Sequence, residues 1–206
     1  MQFPTHRYEA AEVFVAAYRA EIERAWSRLD GTAVARAIEI LLSCIRGDAT
    51  LFVCGNGGSA AIANHLVCDF EKGIRTSTDL APRVVSLSAN IELMTAIAND
   101  IGYEDVFIFQ LESMARTGDA LIAISSSGDS ENIIRALTWA RGHGVATIGL
   151  TGFTGGRSAP LADVQVHVPA SNYGVVEDVH QSVMHMFAQF IRQAHMNPAA
   201  ISMTKF

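Results

Sequence analysis

The sequence predicts an α/β protein in which a five-stranded parallel sheet carries helices on both faces. Short apolar runs bounded by turn residues recur along the chain, and helical patterns separate them. Four of the five runs are apolar on both faces, the pattern of strands buried inside a parallel sheet. Right-handed crossovers then join successive strands.

The chain opens with two helices. Residues 6–29 place apolar side chains at helical spacing with Glu and Arg between them, and 31–48 repeats the pattern until Gly47-Asp48 ends it. The strands are TLFVCG at 50–55, RVVSLS at 83–88, ALIAIS at 120–125, ATIGLTG at 146–152 and VQVHVP at 164–169. Helical patterns fill 58–72, 91–98, 104–116, 130–142 and about 175–195. Residues 1–48 are thus an N-terminal helical extension packing on the domain or on a partner subunit, 49–195 the α/β domain, and 196–206 a tail without a clear period.

At 206 residues, half of them apolar, the chain is long enough for one sizeable core. A net charge of -6 and the lack of any dense Lys/Arg run exclude a nucleic-acid footprint. No basic start precedes an apolar core at the N-terminus, and no stretch stays apolar for the roughly 18 residues a membrane span needs, so no membrane partner and a cytoplasmic location are expected. Cys44, Cys54 and Cys68 lack CxxC spacing and read as reduced, mostly buried thiols.

Ligands of such sheets bind beyond the carboxyl ends of the strands, which directs attention to the turns at 54–59, 125–130 and 151–156. In the first, Asn56, Gly57, Gly58 and Ser59 follow Gly55 between strand and helix, where glycines bring backbone N–H groups close to an anion at a helix N-terminus. Tight packing alone also explains such glycines. The second turn gathers Ser125, Ser126, Ser127 and Ser130 around Gly128 at the start of the next helix, a neutral oxyanion cradle. One serine suffices for a helix cap, and four exceed that need. The chain has neither the Gly-Lys-Ser/Thr of a P-loop nor GxGxxG after its first strand, which argues against nucleotide hydrolysis and dinucleotide binding.

His65 and Asp69 stand four residues apart on the helix leaving the glycine turn, on one face and about 6 Å apart in rise. The last helix carries Glu177, Asp178, His180, Gln181 and His185 on an apolar background. Glu177 is offset from His185 by about 80°, whereas Asp178 is nearly in line with it, so angle alone favours Asp178 as the partner of His185. His180 and His185 cannot both lie near the centre of one solvated stripe, which leaves at least one buried or at an interface. The two pairs of histidine and carboxylate suit either a divalent metal or an acid and base that move a proton beside a carbonyl, and spacing leaves both open.

Five segments, CGNGGSAAIANHLVCDF, TAIANDIGYEDVF, GDALIAISSSGDSENIIRAL, IGLTGFTGG and EDVHQSVMHMFAQFI, together resemble the sugar isomerase (SIS) domain and, within it, the phosphoheptose isomerases. The match runs in order over about 10–195. It implies a three-layer α/β/α flavodoxin-like fold and a homotetramer with active sites between subunits. It also implies an aldose–ketose isomerase that converts sedoheptulose 7-phosphate to the heptose 7-phosphate through an enediol and supplies heptose for surface polysaccharide. Ser59, Ser125, Ser126, Ser127 and Ser130 would then hold the sugar phosphate with the 55–58 backbone alongside. His65, Asp69, Glu177 and His185 would bind zinc or a similar divalent metal, with Asp69 as base and His185 as acid.

Two residues depart from the family pattern: Asp69 replaces glutamate and Glu177 replaces glutamine. The added negative charge leads us to expect an obligatory metal. Some SIS relatives only bind a phosphosugar or a protein partner such as the replication initiator; they tend to lack the first-helix acid and the final histidine, both present here. A sugar-sensing regulator is disfavoured by the absence of a DNA-reading helix or basic arm.

Overall fold

The computed structural model describes residues 2–206. Five strands, numbered in chain order, are β1 (Thr50–Gly55), β2 (Arg83–Ser86), β3 (Ala120–Ser125), β4 (Ala146–Thr151) and β5 (Val164–His167). All neighbours pair in parallel in the order β2-β1-β3-β4-β5. The chain therefore reverses its direction of travel across the sheet between β1 and β3, and the crevice above that point is where ligands of doubly wound sheets bind.

The helices are α1 (Ala11–Ser27), α2 (Gly31–Arg46), α3 (Gly58–Cys68), α4 (Ile91–Asp100), α5 (Ile108–Met114), α6 (Glu131–Gly142), α7 (Tyr173–His195) and the single turn α8 (Pro198–Ile201). Side chains alternate across each central strand and build two cores. Leu51, Val53, Ile122, Ile124, Ile148 and Leu150 pack with α2, α3 and α7 on one face. On the other, Phe52, Cys54, Leu121 and Ala123 meet α5 and α6. The expected three layers follow, and α2 contributes Ala37, Ile38, Leu41 and Cys44 directly to the first core. Each large apolar side chain buried in this way is worth about 1.5–3 kcal/mol.

Several elements differ from the sequence expectation. Although RVVSLS reads as apolar on both faces, β2 is an edge strand with Arg83 exposed and Val85 and Ser86 half-buried. It ends at Ser86 because Ser88 turns to serve β1: its Oγ donates to the Gly55 carbonyl (2.8 Å) and accepts from the Gly55 N–H (3.1 Å). The first helix starts at Ala11 rather than residue 6, since Phe3 and Tyr8 fold back onto Phe14 and Tyr18 as an aromatic cluster. The 104–116 pattern resolves into one tight turn, Tyr103–Asp105, followed by α5.

Beyond Cys68 the helix does not continue in α geometry but widens into a π turn, Asp69–Ile74. Such turns recur at functional sites because they re-aim the side chains they carry. The 196–206 tail forms α8, capped by the Asn197 side chain, and then folds back on α7. Arg192 donates to the Lys205 carbonyl (3.2 Å), and its guanidinium lies 4.9 Å from the centre of the Phe206 ring.

Candidate active site

The turns leaving β1 and β3 are tied together above the switch point. Gly57 has φ +55° and ψ -121°, a conformation that side chains with a Cβ rarely take, and it opens α3 directly into the crevice. Asn56 and Asn132 exchange a reciprocal pair of amide hydrogen bonds (2.9 and 3.0 Å), and the Tyr103 hydroxyl donates to Asn56 Oδ1 (2.8 Å). Asn132 is 2% exposed, so this pair is a buried lock between the two turns. The third turn closes from the side: Gly152 N–H donates to the Ser126 carbonyl (2.8 Å), and Ser158 N–H donates to the Gly128 carbonyl (2.9 Å).

The serines stand as an array with spare hydrogen-bonding capacity. Ser125 Oγ accepts from the Gly128 N–H (3.1 Å) and lies 3.5 Å from Ser130 Oγ; Ser127 Oγ accepts from the Asp129 N–H (3.2 Å). Ser130 occupies the N-cap position of α6, yet its side chain makes no capping bond. Ser126 Oγ is buried without a partner. Ser59, on α3 across the crevice, is buried as well. Two helix N-termini converge here, which favours an anion without help from lysine.

A second group forms farther along α3, where it meets α7. Asp69, the first residue of the π turn, accepts from His185 Nδ1 at 2.7 Å, and its other oxygen stands 3.4 Å from His65 Nε2. The two imidazoles lie edge to face with centroids 5.0 Å apart. Between them sits Gln181, whose amide nitrogen is 3.1 Å from His65 Nδ1 and 3.0 Å from His185 Nε2. One nitrogen of each histidine therefore faces the carboxylate and the other faces the amide. The ligand atoms of His65, Asp69 and His185 all lie within 4.8 Å of one another, and two imidazoles with a carboxylate are a donor set that suits zinc.

The other polar residues of the last helix go elsewhere. Glu177 is not brought to this group: its carboxyl lies over Gly58 in the glycine turn, filling the space a Cβ there would need, and burial followed by Asp178 raises its pKa. Asp178, favoured by helical angle, instead accepts from the Tyr18 hydroxyl (2.7 Å); burial first and this bond second push the Tyr18 pKa up to about 12. Of the two histidines, His180 is the buried one. Its Nε2–H donates to the Thr151 carbonyl (3.1 Å), its Nδ1 has no partner, and burial lowers its pKa to about 4. Gln181 had no expected role, although its i, i+4 relation to His185 puts both on one face.

A cavity of about 480 Å³ opens beside the second group, within the range of small-molecule sites. Asp69 and His185 form part of its wall, Cys68, Lys72 and Arg192 another part, and the tail closes it with Lys205. Along α3, His65 stands about 10 Å and Asp69 about 16 Å from Gly58 by helical rise.

A parallel sheet of this order with glycine and serine turns above its switch point defines a doubly wound α/β domain, and comparison with known proteins gives its family: the SIS domain family model matches residues 16–152. The phosphoheptose isomerase of Rhodospirillum rubrum is 36% identical over 163 residues, 79% of this chain and 86% of the relative. A phosphoheptose isomerase structure from Neisseria gonorrhoeae superposes with a TM-score of 0.80 at 34% identity, covering 88% of this chain and 99% of that one. Another from Francisella tularensis gives a TM-score of 0.82 at 26% identity over 89% and 96% of the two chains. The chain belongs to the phosphoheptose isomerases of the SIS-domain family.

Proposed function

We propose that the protein is a phosphosugar isomerase that interconverts sedoheptulose 7-phosphate and D-glycero-D-manno-heptose 7-phosphate. One observation carries the reading: a carboxylate and an imidazole from different helices meet at 2.7 Å, on a cavity wall, in a chain of this family.

The sugar phosphate is held by Ser59, Ser125, Ser126, Ser127 and Ser130 with the backbone of Asn56, Gly57 and Gly58, where spare hydroxyls and helix N-termini replace cationic side chains. At the sugar end, Asp69 takes the proton from the carbon next to the ketone. Those electrons form the carbon–carbon double bond of an enediol as the carbonyl oxygen accepts a proton from His185. Return of a proton to the neighbouring carbon, with loss of the proton from the adjacent hydroxyl, gives the aldose. His65, Asp69 and His185 would hold zinc or a similar divalent metal, which supplies positive charge for the oxygens during this transfer.

A homotetramer with sites between subunits is supported by an exposed apolar groove on α1: Val15 is 65% and Phe14 37% exposed, and together with Ile22 they present a surface suited to another copy. We assign residues 49–195 to the SIS unit, with 1–48 packed on it and available to partners and 196–206 as its tail. None of the described helices is long and apolar enough to cross a membrane. A cytoplasmic role supplying heptose for lipopolysaccharide or capsule fits this reading.

The test is turnover of sedoheptulose 7-phosphate by the purified protein with and without zinc, beside Asp69→Ala. Zinc-dependent aldose formation that falls by about 10²–10⁴ in the variant is expected from removal of a general base. Full-rate turnover by metal-stripped protein contradicts the metal requirement, and saturable sugar-phosphate binding without turnover contradicts the isomerase.

A further inference from the structure

The serine turn carries negative charge of its own. Asp129 and Glu131 flank Ser130 where α6 begins, and the first N–H groups of a helix have no partner within it. Ser130 takes none of them, because its side chain makes no capping bond. Open N–H groups at a helix N-terminus attract a nearby carboxylate as well as a phosphate. Left free, the two acids would compete with the phosphate for the end of α6 and repel it.

Arg157, in the third turn, engages both. Its main-chain N–H donates to Asp129 Oδ1 (3.0 Å), and its Nε stands 3.3 Å from the same oxygen. One terminal nitrogen donates to Glu131 Oε2 (3.0 Å) and the other to the Asp129 carbonyl (3.0 Å). The planar fork of a guanidinium suits several acceptors at once, which a single ammonium does not. Arg135 also approaches Glu131, at 3.7 Å from Oε1, but it is bound more closely to Asp105 (2.6 Å).

The main chain fixes this clamp in place. Gly128 and Gly156, with φ of +71° and +54°, pack backbone against backbone, and a Cβ on Gly128 would strike the Gly155 carbonyl. Ser158 N–H donates to the Gly128 carbonyl (2.9 Å), so Arg157 stands beside a residue already tied to the serine turn. Within that turn Ser126 Oγ is buried and unpartnered, a hydroxyl still open to a ligand oxygen.

We propose that Arg157 is a positioning residue for the phosphate end of the site: by engaging Asp129 and Glu131 it keeps the N-terminus of α6 open for the substrate's phosphate. The proposal rests on the phosphosugar isomerase reading above and deepens it. Arg157 acts through the two acids and not by touching the phosphate.

Binding of sedoheptulose 7-phosphate to the full-length protein, measured by calorimetry with turnover assayed in parallel, tests this. Arg157→Met keeps the apolar stem but removes the charge and should weaken binding by about threefold to thirtyfold, the effect of freeing two carboxylates at one helix end. KM should rise with it while kcat stays within about twofold, because Asp69 and His185 are untouched. Adding Asp129→Asn and Glu131→Gln to Arg157→Met should restore binding to within about threefold of the parent, since neutral amides no longer repel phosphate. Arg157→Lys, which keeps the charge without the fork, should fall between the parent and Arg157→Met.

Unchanged binding in Arg157→Met overturns the proposal. So does weakened binding that the triple variant fails to restore, the result expected of a strut between turns or of an arginine that touches the phosphate itself. A parent that isomerises the sugar while Arg157→Met binds it normally leaves the function standing and removes the role of Arg157. A parent that binds the sugar phosphate without converting it removes the isomerase, while the same variants still decide on Arg157; a parent that binds none removes both.

Discussion

His180 shows how one buried side chain links sequence to stability. It is fully enclosed on α7, donates to the Thr151 carbonyl and is held neutral with its pKa lowered to about 4. Its ordinary value is near 6.5, so below that pH the unfolded chain binds a proton that the folded one refuses. The stability His180 protects is complete above about pH 6.5 and is lost as the pH falls toward 4, by on the order of 3 kcal/mol. Urea unfolding at a series of pH values checks this: His180→Gln should flatten the fall between pH 6.5 and 4 relative to the parent. The same residue illustrates what the sequence conceals. Two histidines five positions apart look alike in the string HQSVMH, and only the packing of α7 against the sheet makes one a neutral core residue and sets the other in a cavity wall beside Asp69.

Between elements, the Asn56–Asn132 pair joins the glycine turn after β1 to the first turn of α6. Asn132→Leu would leave the Asn56 amide without its buried partner and should cost about 1–3 kcal/mol in thermal or denaturant unfolding. On the proposed reading both turns hold the sugar phosphate, so the same variant should raise KM for the sugar phosphate with a smaller change in kcat. Strand and helix order was legible almost throughout, since apolar runs flanked by Gly, Asp and Ser leave little choice in an alternating pattern. The π turn at Asp69 was not, because nothing in CDFEKGI distinguishes a widened turn from an ordinary helical one. Gln181 was read only as one polar residue of the last helix, because the family's glutamine matches Glu177; its place between His65 and His185 emerges only where α3 and α7 cross. Glu177 was expected among the metal ligands from resemblance, yet its position eight residues ahead of His185 sends its carboxyl to Gly58.

Considered as a whole, the chain has an apolar strip on α1 and two groups of polar residues separated along α3. Val15, on α1, is among the most exposed aliphatic side chains. Val15→Glu should leave the monomer fold intact but shift the assembly toward smaller species in light scattering, with loss of turnover if sites are shared between subunits. An unchanged assembly would point to a different face. The tail bears on the handling of the protein. Phe206 stacks on Arg192, and Lys205 lines the cavity that Asp69 and His185 share. A polyhistidine affinity tag fused after Phe206 would hang a row of imidazoles at the mouth of that cavity. On the proposed reading it would crowd incoming sugar and compete for zinc, so a purification handle is better kept away from Phe206.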